Sequence, residues 1–304
     1  MSLGPKGRAK AGQPFFLSKQ SGPVHFGGGD MLVPHDTYGL DKRLQFLKRV
    51  IAEHRPKTVL DFGCGSGAFV TFPLAQAFPE ITFSGVDSDV TSVEFARSQP
   101  SLPNLSFMLP RDLEGHAPFE LVIASEVIEH VDEPGEFLSF LKSKLTKGGK
   151  IVLTLPNGYG PFELAAMAEA LLQVTRILPG LRKIKHAIFG VPTGHVTSKD
   201  TLAVSPHINF FSFGKICTLI RNSGFHILEY RPRTLLCGFL LDRMLKGEKV
   251  INFNAKISER LPPFCSSDWM FVLETGGVRS NPRYSYGMLT RMRRYLFKKR
   301  WGLI

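Results

Sequence analysis

The chain has 304 residues, enough for one large domain or two small ones. With 43% hydrophobic and 21% charged residues it can bury a core, and no run approaches the roughly 18 uninterrupted apolar residues that a membrane-spanning helix needs. The net charge of +12 is unevenly placed: residues 279–304 hold eight Lys or Arg and no acid, so a near-neutral body carries a basic appendage suited to an anionic surface, membrane or nucleic acid.

Residues 1–39 open small, polar and basic, which reads as a flexible arm without the charged-then-apolar pattern of an export signal. Cys64, Cys217, Cys237 and Cys265 show no C-x-x-C spacing, so neither a zinc site nor a disulfide framework is expected, and a reducing cytoplasm fits best. Leu40, Leu44, Leu47, Val50 and Ile51 recur at helical spacing over 40–54, and Pro56 ends that helix. Strands are expected at 57–62, 81–87, 105–110, 119–125 and 150–156, with helices at 68–78, 90–99 and 133–145 between them. Near-continuous apolar strands alternating with helices predict an α/β fold: a Rossmann-like, seven-stranded, mostly parallel sheet with helices on both faces. The alternation breaks at 161–205, read as a helical insertion after strand five. It resumes with a helix at 211–225 and a strand at 226–234, pauses for a second excursion at 237–263, and closes with strand 268–275, expected antiparallel to its predecessor.

One stretch asks for a ligand. "VLDFGCGSGAF" runs a buried strand through Asp61 into Gly63, Gly65 and Gly67, and then into a helix. Backbone N–H groups at such a helix start favour a polar or anionic ligand, and glycines let it come close. A tight turn alone would need one glycine. The third glycine falls one residue early for the dinucleotide pattern G-x-G-x-x-G. Asp87 ends the second strand, where an acid can accept both hydroxyls of a ribose.

These segments, with "GVDSD", "FELVIASEVIEHV", "LTKGGKIVLTLPN" and "HINFFSFGKICTLIRNSGF", resemble in order and spacing the motifs of class I S-adenosylmethionine-dependent methyltransferases over about residues 40–275. The "EVIEHV" form is most similar to the subgroup that includes the ubiquinone-biosynthesis O-methyltransferases. The resemblance implies that S-adenosylmethionine is the cofactor. Asp61, Gly63, Cys64, Gly65 and Gly67 would face its methionine part, Asp87 and Ser88 the ribose and adenine side, Asp112 the adenine amino group, and Ser125 and Glu126 the transferred methyl.

Methyl transfer is an in-line displacement for which the cofactor is already activated, so the protein positions the acceptor and excludes water. An oxygen acceptor also needs its proton removed. Glu126, Glu129 and His130 are candidates, with 126 and 130 sharing one face if the segment is helical. His207 is expected to line the acceptor pocket. No metal is assigned, although a Glu and a His holding a divalent ion is an alternative, and a loop-orienting role for His130 is another. Tyr159 and Glu163 overhang the same end of the sheet, Ser212 is placed as a helix cap, and the segment around His195 is a candidate lid. Residues 286–304 place Met288, Leu289, Met292, Tyr295 and Leu296 on one helical stripe beside basic residues. Such a helix either lies in a membrane interface or packs on the domain. The reading is a methyltransferase for a small-molecule or lipid-linked acceptor, at a hydroxyl oxygen. The alternatives are an RNA methyltransferase, a nicotinamide-dependent oxidoreductase and a non-enzymatic binding module.

Overall fold

A computed structural model describes residues 39–160, 207–235, 248–276 and 286–300. The N-terminal arm, the insertion at 161–205 with Glu163 and His195, and the first part of the second excursion lie outside the described residues.

Helix α1 (Leu40–His54) leads into β1 (Thr58–Phe62), α2 (Thr71–Ala77), β2 (Thr82–Val86), α3 (Val90–Ser98), β3 (Leu105–Met108), β4 (Phe119–Ser125), α4 (Pro134–Ser143) and β5 (Leu145–Pro156). Then come α5 (Phe213–Asn222), β6 (Phe225–Pro232), α6 (Glu248–Ser258), β7 (Asp268–Thr275) and α7 (Met288–Arg300). The sheet order is β3-β2-β1-β4-β5-β7-β6. The pairings from β3 across to β5 are parallel, and β7 runs antiparallel between β5 and β6, as the sequence predicts for the last strand. Among the boundary differences from the sequence reading, two bear on the site. Helix α2 starts at Thr71 because the glycine loop continues in turns through residue 70. Strand β5 reaches back to Leu145, with a register shift that absorbs Gly148 and Gly149.

Strand alternation distributes the core. Leu60, Phe62, Val122, Ala124, Leu153 and Phe271 face α4 and α5. Val59, Leu121, Ile123, Val152, Met270 and Val272 face α1 and α2. Because side chains two residues apart share a face, Asp61, Thr154 and Asp268 continue the second set past its apolar part. The upper edge of the sheet's α1 side is therefore polar. It adjoins the point where the chain, having run outward from β1 to β3, returns to the other side of β1 as β4. In open α/β sheets such a switch point is where ligands bind.

Candidate active site

The loop after β1 answers the question its glycines raise. Gly63 and Cys64 donate to the Val86 carbonyl at 2.7 and 3.0 Å, tying the loop to β2. Gly63 and Gly67 have φ of 82° and 75°, a region side chains rarely adopt, and neither has space: a Cβ would strike Val127 at Gly63 and Phe107 at Gly67. Gly65 is also left-handed, yet nothing lies within 4 Å of its Cβ position, so its outer side is open to a ligand. Asp87 receives Gly65 N–H at 2.7 Å on one oxygen and Asp89 N–H at 2.9 Å on the other. Asp89 in turn caps α3 through the Ser92 N–H and hydroxyl. Ser88 lies between these two acids, half-buried.

Asp61 is buried and accepts the Thr71 hydroxyl at 2.6 Å. Burial lifts its carboxyl to about 6, against the pull of Thr71 and Arg43, and nearby Asp87 adds to the lift. Burial also raises Asp87, while the backbone donors restrain it. The Cys64 thiol is pushed well up by burial and by the two carboxylates, so it remains protonated and is no nucleophile. Asp112 closes a 3-10 turn at Pro110–Leu113 by accepting the Leu109 N–H at 3.0 Å.

The segment after β4 departs from the helical premise of the sequence reading. Residues 127–130 form turns, and Glu126 adopts φ 58°, rare for a residue with a side chain. Its N–H donates to Thr154 O at 3.0 Å, the last rung beside β5 before the chain reverses. Glu126 and His130 thus share no helical face. Ser125 shares a 3.0 Å hydrogen bond with the Thr154 hydroxyl, which also donates to Glu126 at 2.8 Å. Glu126 lies 3.4 Å from Arg233 and 3.7 Å from Arg43, and Arg233 donates to Asp268 at 2.6 Å. Burial works to raise the Glu126 carboxyl, but the two guanidiniums and Thr154 outweigh it and hold it below its usual range. Asp268 goes the other way: burial dominates in spite of Arg233. Sequence reasoning missed Arg43, Arg233, Thr154 and Asp268. A signal existed for Arg43, which occupies the buried face of α1 with Leu47 and Val50, where an unpaired charge would be costly.

Glu129, His130 and His207 form a second cluster, with one ligand atom from each lying within 4.8 Å of the others, and His207 also adds to the pull on Glu126. Glu129 is fully buried, 3.8 Å from His130 Nε2. The His130 and His207 rings meet edge to face at 4.8 Å. The turn carrying Glu129 is fixed from the other chain segment, as Ile208 and Asn209 N–H both donate to Glu129 O at 2.9 Å. One carboxylate oxygen and two imidazole nitrogens also form a donor set that fits a divalent transition ion.

Tyr159 lies below α7, its ring 5.5 Å from the Arg293 guanidinium. Ser212 occupies the N-cap position of α5, but its side chain makes no capping bond. Helix α7 docks through the face opposite to the predicted stripe. Thr290, Arg293 and Phe297 are buried, whereas Met288, Met292 and Tyr295 are exposed. The physical reason is Arg293, which donates to Gly158 O at 2.6 Å and lies 3.7 Å over the Phe210 ring, a burial that the aliphatic stripe cannot match in hydrogen bonding. Among the described residues no helix is long and apolar enough to cross a membrane.

A doubly wound sheet with a glycine loop and a strand-end acid beside its switch point defines a nucleoside-cofactor-binding α/β protein. Comparison with known proteins narrows the class. Residues 35–230 match the family model described as methyltransferase domain, and the chain belongs to that family. It is 29% identical over 190 residues to malonyl-[acyl-carrier protein] O-methyltransferase of Halalkalibacterium halodurans, covering 55% of this chain and 69% of that protein. It is 33% identical over 122 residues to the mitochondrial ubiquinone biosynthesis O-methyltransferase of Schizosaccharomyces pombe, covering 37% of this chain and 43% of the relative. The chain thus spans about two thirds of the first relative and under half of the second. Magnesium protoporphyrin IX methyltransferase of Synechocystis PCC 6803, solved with SAH bound, aligns with TM-score 0.45 at 15% identity over 78% of this chain and 85% of that one. The chain is an S-adenosylmethionine-dependent methyltransferase.

Proposed function

We propose that the protein methylates a hydroxyl oxygen of a small-molecule acceptor, and that the Glu129–His130–His207 cluster takes the acceptor's proton. The observation that carries this is the convergence of the three side chains on one point at the carboxyl end of β4. That point adjoins the glycine loop, since Val127, in the same turn, packs where a Cβ on Gly63 would sit. In the reaction the acceptor oxygen attacks the methyl carbon, the carbon–sulfur bond breaks, and the sulfonium becomes a neutral thioether. The hydroxyl proton passes to an imidazole, which titrates near neutral pH. The names of the two relatives, both O-methyltransferases, support oxygen as the acceptor atom. Cofactor contacts are assigned to Asp61, the loop of Gly63, Cys64, Gly65 and Gly67, Asp87, Ser88, Asp112, Ser125 and Glu126.

The same donor set supports a second reading, in which Glu129, His130 and His207 hold a divalent metal that, when bound, lowers the pKa of the acceptor hydroxyl. A finer reading concerns the acceptor's source. Exposed Met288, Met292 and Tyr295 beside exposed Arg291 and Lys299 support an acceptor with an apolar tail presented at an anionic membrane surface. Co-sedimentation with phosphatidylserine vesicles tests that part; failure to sediment at low salt would remove it.

For the chemistry, labelled methyl transfer to a panel of phenols, catechols and carboxylic acids should find an acceptor. His130→Ala should then slow transfer by about 10²- to 10⁴-fold while S-adenosylhomocysteine still binds. Full activity in His130→Ala would refute the base. Loss of activity on chelation, with recovery on adding manganese or zinc, would select the metal reading.

A further inference from the structure

We propose that α7 belongs to the acceptor-site machinery, and that Arg294 is a positioning residue for the Glu129–His130 turn. The inference rests on the acceptor-site reading above, and it concerns a helix beyond residue 230, where the match to the family model ends.

The chain of contacts begins at Asn209. Its side-chain N–H₂ donates to Ile128 O at 3.0 Å and to Val131 O at 2.5 Å, bracketing Glu129 and His130. Its backbone N–H and that of Ile208 hold Glu129 O. Asn209 is buried, and His207 lies two residues before it. One side chain therefore sets the spacing between the turn that carries two members of the cluster and the segment that carries the third.

An amide can face either way, and only one orientation works here. Both amide protons must point at Ile128 O and Val131 O, which leaves the carbonyl oxygen facing α7. Arg294 enforces that orientation, because a guanidinium can only donate. One Arg294 nitrogen donates to Asn209 Oδ1 and to the Tyr286 hydroxyl, the latter at 2.7 Å. The Tyr286 hydroxyl donates to Asp132 O at 2.9 Å and lies 3.2 Å from Asn209 Oδ1, where it backs the same orientation. The second Arg294 nitrogen and Lys298 reach Asp132 Oδ1 at 3.3 and 3.0 Å. The helix itself is anchored by Arg293 at Gly158 O and by Phe297 against Phe210 at 5.1 Å. Basic residues that the sequence offers as an anion-seeking surface are thus partly spent on holding the turn after β4.

The test compares the full-length protein with Arg294→Met and Arg294→Lys by hydrogen exchange and by the imidazole Cε1–H signals of His130 and His207 at fixed pH. Arg294→Met should speed exchange in peptides spanning 126–132 and 207–211 by about tenfold and shift both histidine signals. Exchange over 59–67 and 82–89 should stay unchanged, and S-adenosylhomocysteine affinity should stay within twofold. Arg294→Lys, which also only donates, should restore part of the protection and return the ring signals toward the parent positions. If Arg294→Met folds poorly, Lys298→Met replaces it, with smaller changes in the same peptides and signals. Unmoved histidine signals, or faster exchange spread evenly over the sheet, would overturn the proposal. Both readouts need neither cofactor nor acceptor, so a parent protein that fails to bind S-adenosylhomocysteine would count against the methyltransferase reading and leave this test standing.

Discussion

The two halves of the site are built in different ways. The proposed cofactor half is made by short-range sequence: the loop after β1, the acid after β2 and the turn after β3 each hold themselves in place with bonds to neighbours or to the adjacent strand. The charge network around Glu126 and the proposed acceptor cluster are made by long-range assembly. Arg43, Glu126, Thr154, Arg233 and Asp268 come from five separate elements, and Asn209 and Arg294 from two more. On the proposed assignment, the nucleoside contacts are local, whereas the geometry around the acceptor cluster depends on the whole domain having closed.

The largest expected effect breaks the long-range half. Arg233 is 5% exposed and joins Asp268 to Glu126. Replacing one member of a buried charge group leaves its partners uncompensated, so Arg233→Met should destabilise the fold by about 3 to 5 kcal/mol, read from urea unfolding. A loss under about 1 kcal/mol would mean that the network is idle and the comparison wrong.

That network also marks where sequence reading stops. Strands, helices, the antiparallel last strand, Asp61, the glycines and Asp87 all follow from periodicity and from residues adjacent in the chain. Arg233 and Asp268 carry no local pattern. They meet where the end of β6 runs antiparallel to the start of β7, and it is the place of β7 beside β5 that brings the pair to Thr154 and Glu126, which no spacing within either segment reveals. The face on which α7 docks is hidden for a related reason: the sequence leaves the stripe of Met, Leu and Tyr either to a membrane interface or to packing, and only Arg293 above Phe210 marks the face that docks.

The next effect probes the local half by steric means. Gly67 combines φ 75° with Phe107 at 2.6 Å from the position a β-carbon would take, so Gly67→Ala should cost about 2 to 4 kcal/mol. Gly65→Ala, strained but open, should cost only about 1 kcal/mol in thermal or urea unfolding. Equal costs would mean that the loop is not packed as described. A smaller, chemical probe is Asp87→Asn. The amide offers one acceptor oxygen where Gly65 N–H, Asp89 N–H and the proposed ribose contact need two, so S-adenosylhomocysteine should bind roughly thirtyfold more weakly by calorimetry. Unfolding should change much less than in Arg233→Met.

The smallest effect is a pH dependence that separates the halves without mutation. The folded Asp61 carboxyl titrates at about 6, above its unfolded value. The folded state therefore binds more protons than the unfolded state between those values, and stability falls as pH rises through that window. Burial of the ionised form is the cause, so a cation placed beside Asp61 should relieve it. If the cofactor's ammonium is that cation, binding selects ionised Asp61. Affinity should then drop about tenfold from pH 7 to pH 5, because a titration at about 6 leaves roughly a tenth of the protein ionised at the lower value. Thr71→Val removes the hydroxyl that steadies the ionised carboxylate at 2.6 Å, so the midpoint of the affinity curve should move to higher pH. Glu126 is shifted the opposite way, its burial outweighed by the two arginines. A flat affinity curve in the parent protein, or a midpoint unmoved by Thr71→Val, would show that the ammonium is held elsewhere and that Asp61 serves the loop alone.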